Sequence, residues 1–331
     1  MSKNWIKKGL LTSRAMSLAG KLKGPSAAIL MYHSVMDDPS REGQTLGGII
    51  HSTGVFRRQM ELLAREFVPI SLDDLLIALA NGRPLRPRSV VITFDDGYTD
   101  NLEVAVPILN GVGVPATFYI TVDCVETRSL PWPSRLRYAF YTTKKASWND
   151  TNGVSWPLSD FGERDRAFLS ACDRCAQLAG EPQFAFVQQV EKDLGAGPPQ
   201  PSQRLMMTWD QVRDLAKSGH IVGSHTLTHP NMAYVDASSA KRELADSKRQ
   251  LETVLQNPVV HFSYPCPALS PHWNKSTRKM SEEVGYQTAV TTVGGPVTQQ
   301  DDPLSLHRVR PSKDLEGLHW NLECTFLGRA M

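Results

Sequence analysis

The run SVVITF at residues 89–94 is apolar on both faces of an extended chain, and Asp95, Asp96 and Gly97 follow it at once. Successive side chains of a strand point to opposite faces, so a strand without a polar face has protein on both sides, as in a parallel sheet covered by helices. PATFYIT at 115–121 has the same character, and between the two runs NLEVAVPILNGVG has helical spacing and a glycine stop. Upstream, AAILMYHSV (27–35) reads as a strand, and VFRRQMELLAREF (55–67) and LDDLLIALANG (72–82) read as helices. This β-α-β-α order predicts an α/β fold around a parallel sheet.

The rhythm breaks over residues 123–205, where aromatics stand in loop-like settings around helical patches; this segment is expected to be a mostly helical insertion. The alternation then resumes. TWDQVRDLAKSG is a helix with Thr208 as N-cap, HIVGSHTLTHPNM a strand running into a loop, SAKRELADSKRQLETVLQ an amphipathic helix and VVHFSYP a strand. SEEVGYQTAVTT reads as a helix into a strand, and LSLHRVRP as a last short strand. Seven or so β-α units suggest a closed or nearly closed barrel, in which function gathers at the C-terminal ends of the strands. The expected organisation is a basic arm at 1–26, a barrel over 27–310 and a tail at 311–331.

Composition narrows the function classes. A net charge of +2 gives no global field for nucleic acid, and no apolar run approaches the roughly 20 residues of a membrane span. Five scattered cysteines make no disulfide framework, and Cys172 and Cys175 lie in a helical pattern, so a reducing compartment and structural thiols are expected. The first 24 residues carry six basic side chains and no acid. Trp5, Ile6, Leu10, Leu11 and Leu18 could share one helical face against an anionic membrane surface; a solvated arm is the alternative. The expected location is the cytoplasm, with peripheral contact at the inner face of the membrane.

The chemistry-bearing residues fall at predicted strand ends. Asp95 and Asp96 follow VVITF, His225 and His229 follow IVGS, Tyr264 and Pro265 follow VVHFS, and His307 sits in LSLHRV. SHTLTH places two imidazoles at i and i+4, able to bind one metal ion from a turn of helix; with no glutamate between them, any base must come from elsewhere. Two adjacent carboxylates at a buried strand end repel and lose solvation, a conflict that a divalent cation would resolve. One aspartate could bind the cation and the other take a proton. Together these residues supply three protein ligands with an open position, the plan of catalytic zinc sites, in which bound water is acidified and a carbonyl polarised. A helix cap for the aspartates and chance spacing for the histidines are the plain alternatives. Trp132 and Tyr98 could stack on sugar faces or simply pack.

TFDDGYTDN, SHTLTHPNM and FSYPCP, in that order, resemble the polysaccharide deacetylases, the NodB-homology group of carbohydrate esterases. The likeness spans roughly 27–310. It implies a distorted (β/α) barrel and metal-dependent hydrolysis of N-acetyl groups on amino sugars. By position it implies Asp95 as base and Asp96, His225 and His229 as metal ligands, with Thr226 beside the site. It further implies the backbone N–H of Tyr264 as an oxyanion donor, His307 as the acid that protonates the leaving amine, and His33 and Pro265 on the substrate side. Zinc is the first expectation for the metal, with cobalt, nickel or manganese compatible. The chain departs from the pattern in its third motif, Tyr264-Pro265-Cys266-Pro267, where an aromatic-glycine pair is usual. An arginine that some members carry before that motif is absent, position 261 being His, and so is the Asp-Trp motif. The expected substrate is an N-acetylated surface glycan or its lipid-linked precursor. A deformylase or other amide hydrolase and a catalytically silent glycan-binding module stay open.

Overall fold

The structure, a computed structural model, describes residues 9–11, 13, 15–37, 46–197 and 205–330. Trp5 and Ile6 of the proposed membrane-facing arm lie outside them. Among the described residues no helix is long and apolar enough to cross a membrane.

Seven strands form the main sheet: β1 (Ala27–Tyr32), β2 (Val68–Pro69), β3 (Ser89–Phe94), β4 (Ala116–Ile120), β5 (Ile221–Ser224), β6 (His261–Ser263) and β7 (Thr288–Val290). Their order is β1-β3-β4-β5-β6-β7, with β2 on the first residues of β3, and every pairing is parallel. β3 covers the SVVITF run residue for residue, and all six of its side chains are buried. The helices between strands start where local chemistry satisfies their free N–H groups. Ser71 and Asp74 form a capping box on the helix Leu72–Ala80, and Thr208 and Gln211 do the same on Trp209–Lys217.

The last expected strand is not continuous. Residues 306–309 are extended but meet their neighbours only through single bridges, Leu306 to Val290 of β7 and Val309 to Leu30 of β1. Backbone hydrogen bonds run to both sides: Leu306 N–H to Ala289 O (2.9 Å) and Val309 N–H to Ile29 O (2.7 Å). This segment joins the two edges of the curled sheet and closes it.

Strand alternation sorts the side chains. Ala28, Leu30, Val90, Ile92, Phe94 and Phe262 join the large core under the helices. Ala27, Ile29, Val91, Tyr119 and Leu306 form a smaller cluster inside the curl. The interior is tight at Gly223, where an added Cβ would stand 2.5 Å from the Tyr119 ring and 3.0 Å from the His261 carbonyl oxygen.

The insertion is mostly helical. Its helices are Val122–Thr127, Trp132–Thr142, Phe161–Cys175 and Glu181–Leu194, with one antiparallel hairpin of Ser147–Asn149 and Ser155–Pro157. It has its own core, built on Trp132, Phe140, Trp148, Cys172 and Cys175. Both cysteines are unpaired, and burial pushes their thiols well above the ordinary range, so they pack rather than react. The segment read as a tail forms the helix Leu315–Phe326, whose Leu318, Leu322 and Phe326 belong to the main core.

Candidate active site

A cavity of about 430 Å³ lies at the C-terminal ends of the strands, and His33, Asp95, Asp96, His225, His229 and Cys266 stand on its lining. Asp95 follows β3 and keeps its alternation, so that Val91, Thr93 and Asp95 face inward. The same alternation would turn Asp96 outward. Its backbone instead takes φ +77°, followed by Gly97 at φ +90°, and the turn brings the second carboxylate back to the site. A non-glycine residue held there costs of the order of 1 kcal/mol or more and persists only where its surroundings fix it.

The two histidines sit on a loop that is held from several sides. His225 donates its backbone N–H to Ile120 O (2.9 Å), and its Nδ1 lies 2.8 Å from Ser263 O. A carbonyl can only accept, so Nδ1 carries the hydrogen and Nε2 keeps its lone pair. Thr226 and His229 both take left-handed backbone, φ +68° and +62°. The Thr226 hydroxyl closes this turn, donating to His225 O (2.5 Å) and accepting from the His229 N–H (3.0 Å). Fully buried and used twice, that hydroxyl shapes the loop instead of lining the cavity. Glu243, from the helix Ala237–Leu255, accepts the N–H groups of Leu227 (2.8 Å) and Thr228 (2.9 Å) and the Thr228 hydroxyl (2.6 Å). Trp132 of the insertion donates its indole N–H to His229 O (2.9 Å).

Nε2 of His225 and Nε2 of His229 stand 3.6 and 3.4 Å from Asp96 Oδ1, and the three atoms all lie within 4.8 Å of one another. Asp96 Oδ1 is buried without a hydrogen-bond partner, as is His229 Nδ1. Burial pushes the His225 imidazole down to about 4, against the pull of Asp95, so it is neutral and a lone-pair donor at neutral pH. Burial also works to raise Asp96, but the imidazoles of His229, His33 and His225 hold it well below the ordinary carboxylate range. An orphaned buried carboxylate oxygen facing two imidazole nitrogens is a donor set that fits a divalent cation.

Asp95 has a partner that the sequence reading missed. Arg308, from the closing segment, grips it with both terminal nitrogens, Nη1 to Oδ1 and Nη2 to Oδ2 at 2.8 Å each. The same guanidinium donates to Thr291 O (2.8 Å), Ser263 Oγ (3.1 Å) and Thr93 Oγ1 (3.3 Å). Burial alone would raise Asp95; the Arg308 charge overrides it and leaves the carboxylate below its ordinary range. Position 261, where some members carry an arginine, is His here, and the guanidinium on Asp95 comes from the closing segment instead. The available signal was an arginine inside an otherwise apolar extended run, LSLHRV; nothing near it in the chain marks its partner, 213 positions away.

Of the other predicted residues, His33 alone reaches the lining. Alternation along the closing segment that turns Arg308 inward turns His307 the other way, and its ring lies against Gly295, off the cavity lining. His33 is on the lining, and its carbonyl is anchored by Asn101 Nδ2 (2.6 Å). The Tyr264 N–H is spent on Val290 O (3.1 Å), and its ring faces outward with the hydroxyl on Ser281 Oγ (2.8 Å). Pro265 is buried off the lining, whereas Cys266 and Pro267 reach it. Cys266 Sγ lies 3.0 Å from His272 Nε2. Tyr98 is fully buried and Trp132 nearly so, which leaves neither ring free to stack on a ligand.

The sequence pattern of the polysaccharide deacetylases matches residues 82–289. The Bacillus subtilis protein YxkH, which bears the same family name, is 22% identical over 294 residues, covering 87% of this chain and 72% of its own. Among solved structures, the deacetylase PplD of Streptococcus pyogenes superposes with a TM-score of 0.60 at 19% identity, over 92% of this chain and 99% of its own. IcaB of Ammonifex degensii does so at 0.58 and 16%, over 91% and 97%. These likenesses give the fold, and the pattern match, which takes in Asp95, Asp96, His225, His229 and the third motif, gives the family. The chain belongs to the polysaccharide deacetylase family and is a carbohydrate deacetylase.

Proposed function

We propose that this enzyme removes the N-acetyl group from an amino sugar of a surface glycan or of its lipid-linked precursor, releasing acetate, with a divalent cation held by Asp96, His225 and His229. The carrying observation is the convergence of those three ligand atoms within 4.8 Å, in the cavity that also holds Asp95. When bound, such a cation supplies Lewis acidity toward the amide carbonyl and acidifies water; an N,N,O donor set suits zinc.

The protein's own groups do the rest. Asp95, kept ionised by Arg308, accepts the proton of the attacking water; each of its oxygens keeps a lone pair beyond the one that Arg308 uses. His33 stands on the same lining and in this reading gives the proton to the departing amine, against the burial that lowers its imidazole. Cys266 and Pro267 reach the lining where the sequence reading had expected Tyr264 and Pro265.

The test measures acetate release from N-acetylated amino-sugar oligomers by metal-loaded protein. Chelation should abolish it and zinc restore it. Asp95→Asn should retain the cation and lose about 10²–10⁴-fold in rate, whereas His229→Ala should lose the cation. Acetate release indifferent to both chelator and Asp95→Asn would sink the reading. Formate from a formamido sugar, with no acetate from its acetamido counterpart, would replace the acyl group.

A further inference from the structure

Away from the aspartates, the lining of the same cavity is basic. Arg137 comes from the insertion helix Trp132–Thr142, and Arg310 and Lys313 come from the segment that follows Arg308. Among the described residues, Asp95 and Asp96 are the only carboxylates on the lining, and neither is free to answer these cations: Asp95 is gripped by Arg308, and Asp96 sits among imidazoles. The Arg137 guanidinium lies over the Tyr141 ring at 4.3 Å, and its Nε is buried without a hydrogen-bond partner. The Lys313 ammonium donates to Ile50 O (2.5 Å) and lies 3.3 Å from His51 Nδ1. Burial holds that ammonium down to about 8, and it lowers the neighbouring His51 imidazole to about 4, with the Lys313 charge adding to the effect. None of the three cations forms an ion pair among the described residues.

Three like charges around one cavity repel and are partly desolvated, a cost that a bound anion reverses. Two of them are arginines, whose planar forks match phosphate oxygens. A single carboxylate brings one negative charge to three cations; a phosphate brings up to two, and a diphosphate more. We propose that the amino sugar taken by this cavity carries a phosphate group close to the acetamide, and that Arg137, Arg310 and Lys313 bind it. The proposal rests on the deacetylase reading for the sugar, but the phosphate contact can be measured by binding alone.

Metal-loaded Asp95→Asn protein is titrated with N-acetylglucosamine 1-phosphate and with the uncharged methyl glycoside of N-acetylglucosamine. The phosphorylated sugar should bind at least tenfold more tightly, with the margin shrinking as salt rises. Lys313→Met should cut that margin about tenfold, the effect of one lost charge-assisted contact. Arg310→Gln, at another exposed position, should do likewise and serves if Lys313 proves necessary for folding. In the active enzyme, the kcat/KM ratio of phosphorylated over neutral sugar should fall in parallel. A uridine diphosphate sugar and a short polyprenyl diphosphate sugar, run side by side, distinguish a nucleotide from a lipid as the source of the phosphate. Equal binding of charged and neutral sugars overturns the proposal whether or not acetate is released. So does a preference that survives both substitutions, because phosphate would then be held by the metal alone. Tight phosphate-dependent binding without acetate release keeps this inference and sinks the deacetylase reading instead.

Discussion

With both terminal nitrogens of its guanidinium on Asp95 and almost no exposure to solvent, Arg308 holds that carboxylate in one orientation and in its charged form. Because the folded pKa of Asp95 lies below its unfolded value of about 3.9, the pair contributes stability above that pH and loses it as pH falls through the folded value. Arg308→Met removes the charge that lowers Asp95 and leaves the burial that raises it. The acidic limb of the kcat/KM–pH profile should therefore move upward, by about 1–3 pH units. Stability should drop by about 3–5 kcal/mol, since a buried charge is stranded. An unshifted acidic limb in a folded variant would show that Arg308 does not tune the base. His307, its neighbour, faces the other way. One step along an extended chain separates the residue that braces the carboxylate from the one the family resemblance nominated as the acid.

The loop from His225 to His229 depends on elements remote in sequence. Glu243 reaches it from the helix Ala237–Leu255, Trp132 from the insertion and Ser263 from β6. Two left-handed residues within five positions would relax if those holds were released. Glu243 uses both oxygens and sits at 2% exposure, where burial works to raise its carboxyl against three donors. Glu243→Gln places an amide N–H₂ against one set of those donors. Affinity for the cation should fall about 10–100-fold, in the range found for lost outer-shell contacts, as read by competition with a chelating dye. Unchanged affinity would mean that the loop holds its shape without the clamp.

At the scale of the molecule, the cavity draws on separate parts of the chain, residues 46–51 among them. The curled sheet brings the aspartates and histidines, the insertion brings Pro131, Ser134, Arg137 and Phe168, and the segment after Arg308 brings Arg310 and Lys313. A cation that requires Asp96, His225 and His229 together binds the folded chain and not the unfolded one. Zinc at 100 times its dissociation constant should raise the unfolding free energy by about 2.7 kcal/mol, and thermal melts with and without chelator measure it. Superposable melts would count against the site. His229→Ala should melt at one temperature in both conditions.

Periodicity and motif spacing are relations between near neighbours in the chain, and these were legible in the sequence. SVVITF predicted β3 to the residue, Thr208 predicted a helix start, and the doubled aspartate with the histidine pair marked the residues that the fold gathers. Only the tertiary structure decided which partner each group meets. Arg308 finds Asp95 across 213 positions of chain, the Tyr264 N–H is taken by β7, and the Trp132 indole anchors His229 from 97 positions away. The physical reason is that a side chain's face is set locally by alternation, whereas what stands opposite it is set by which strands curl into contact.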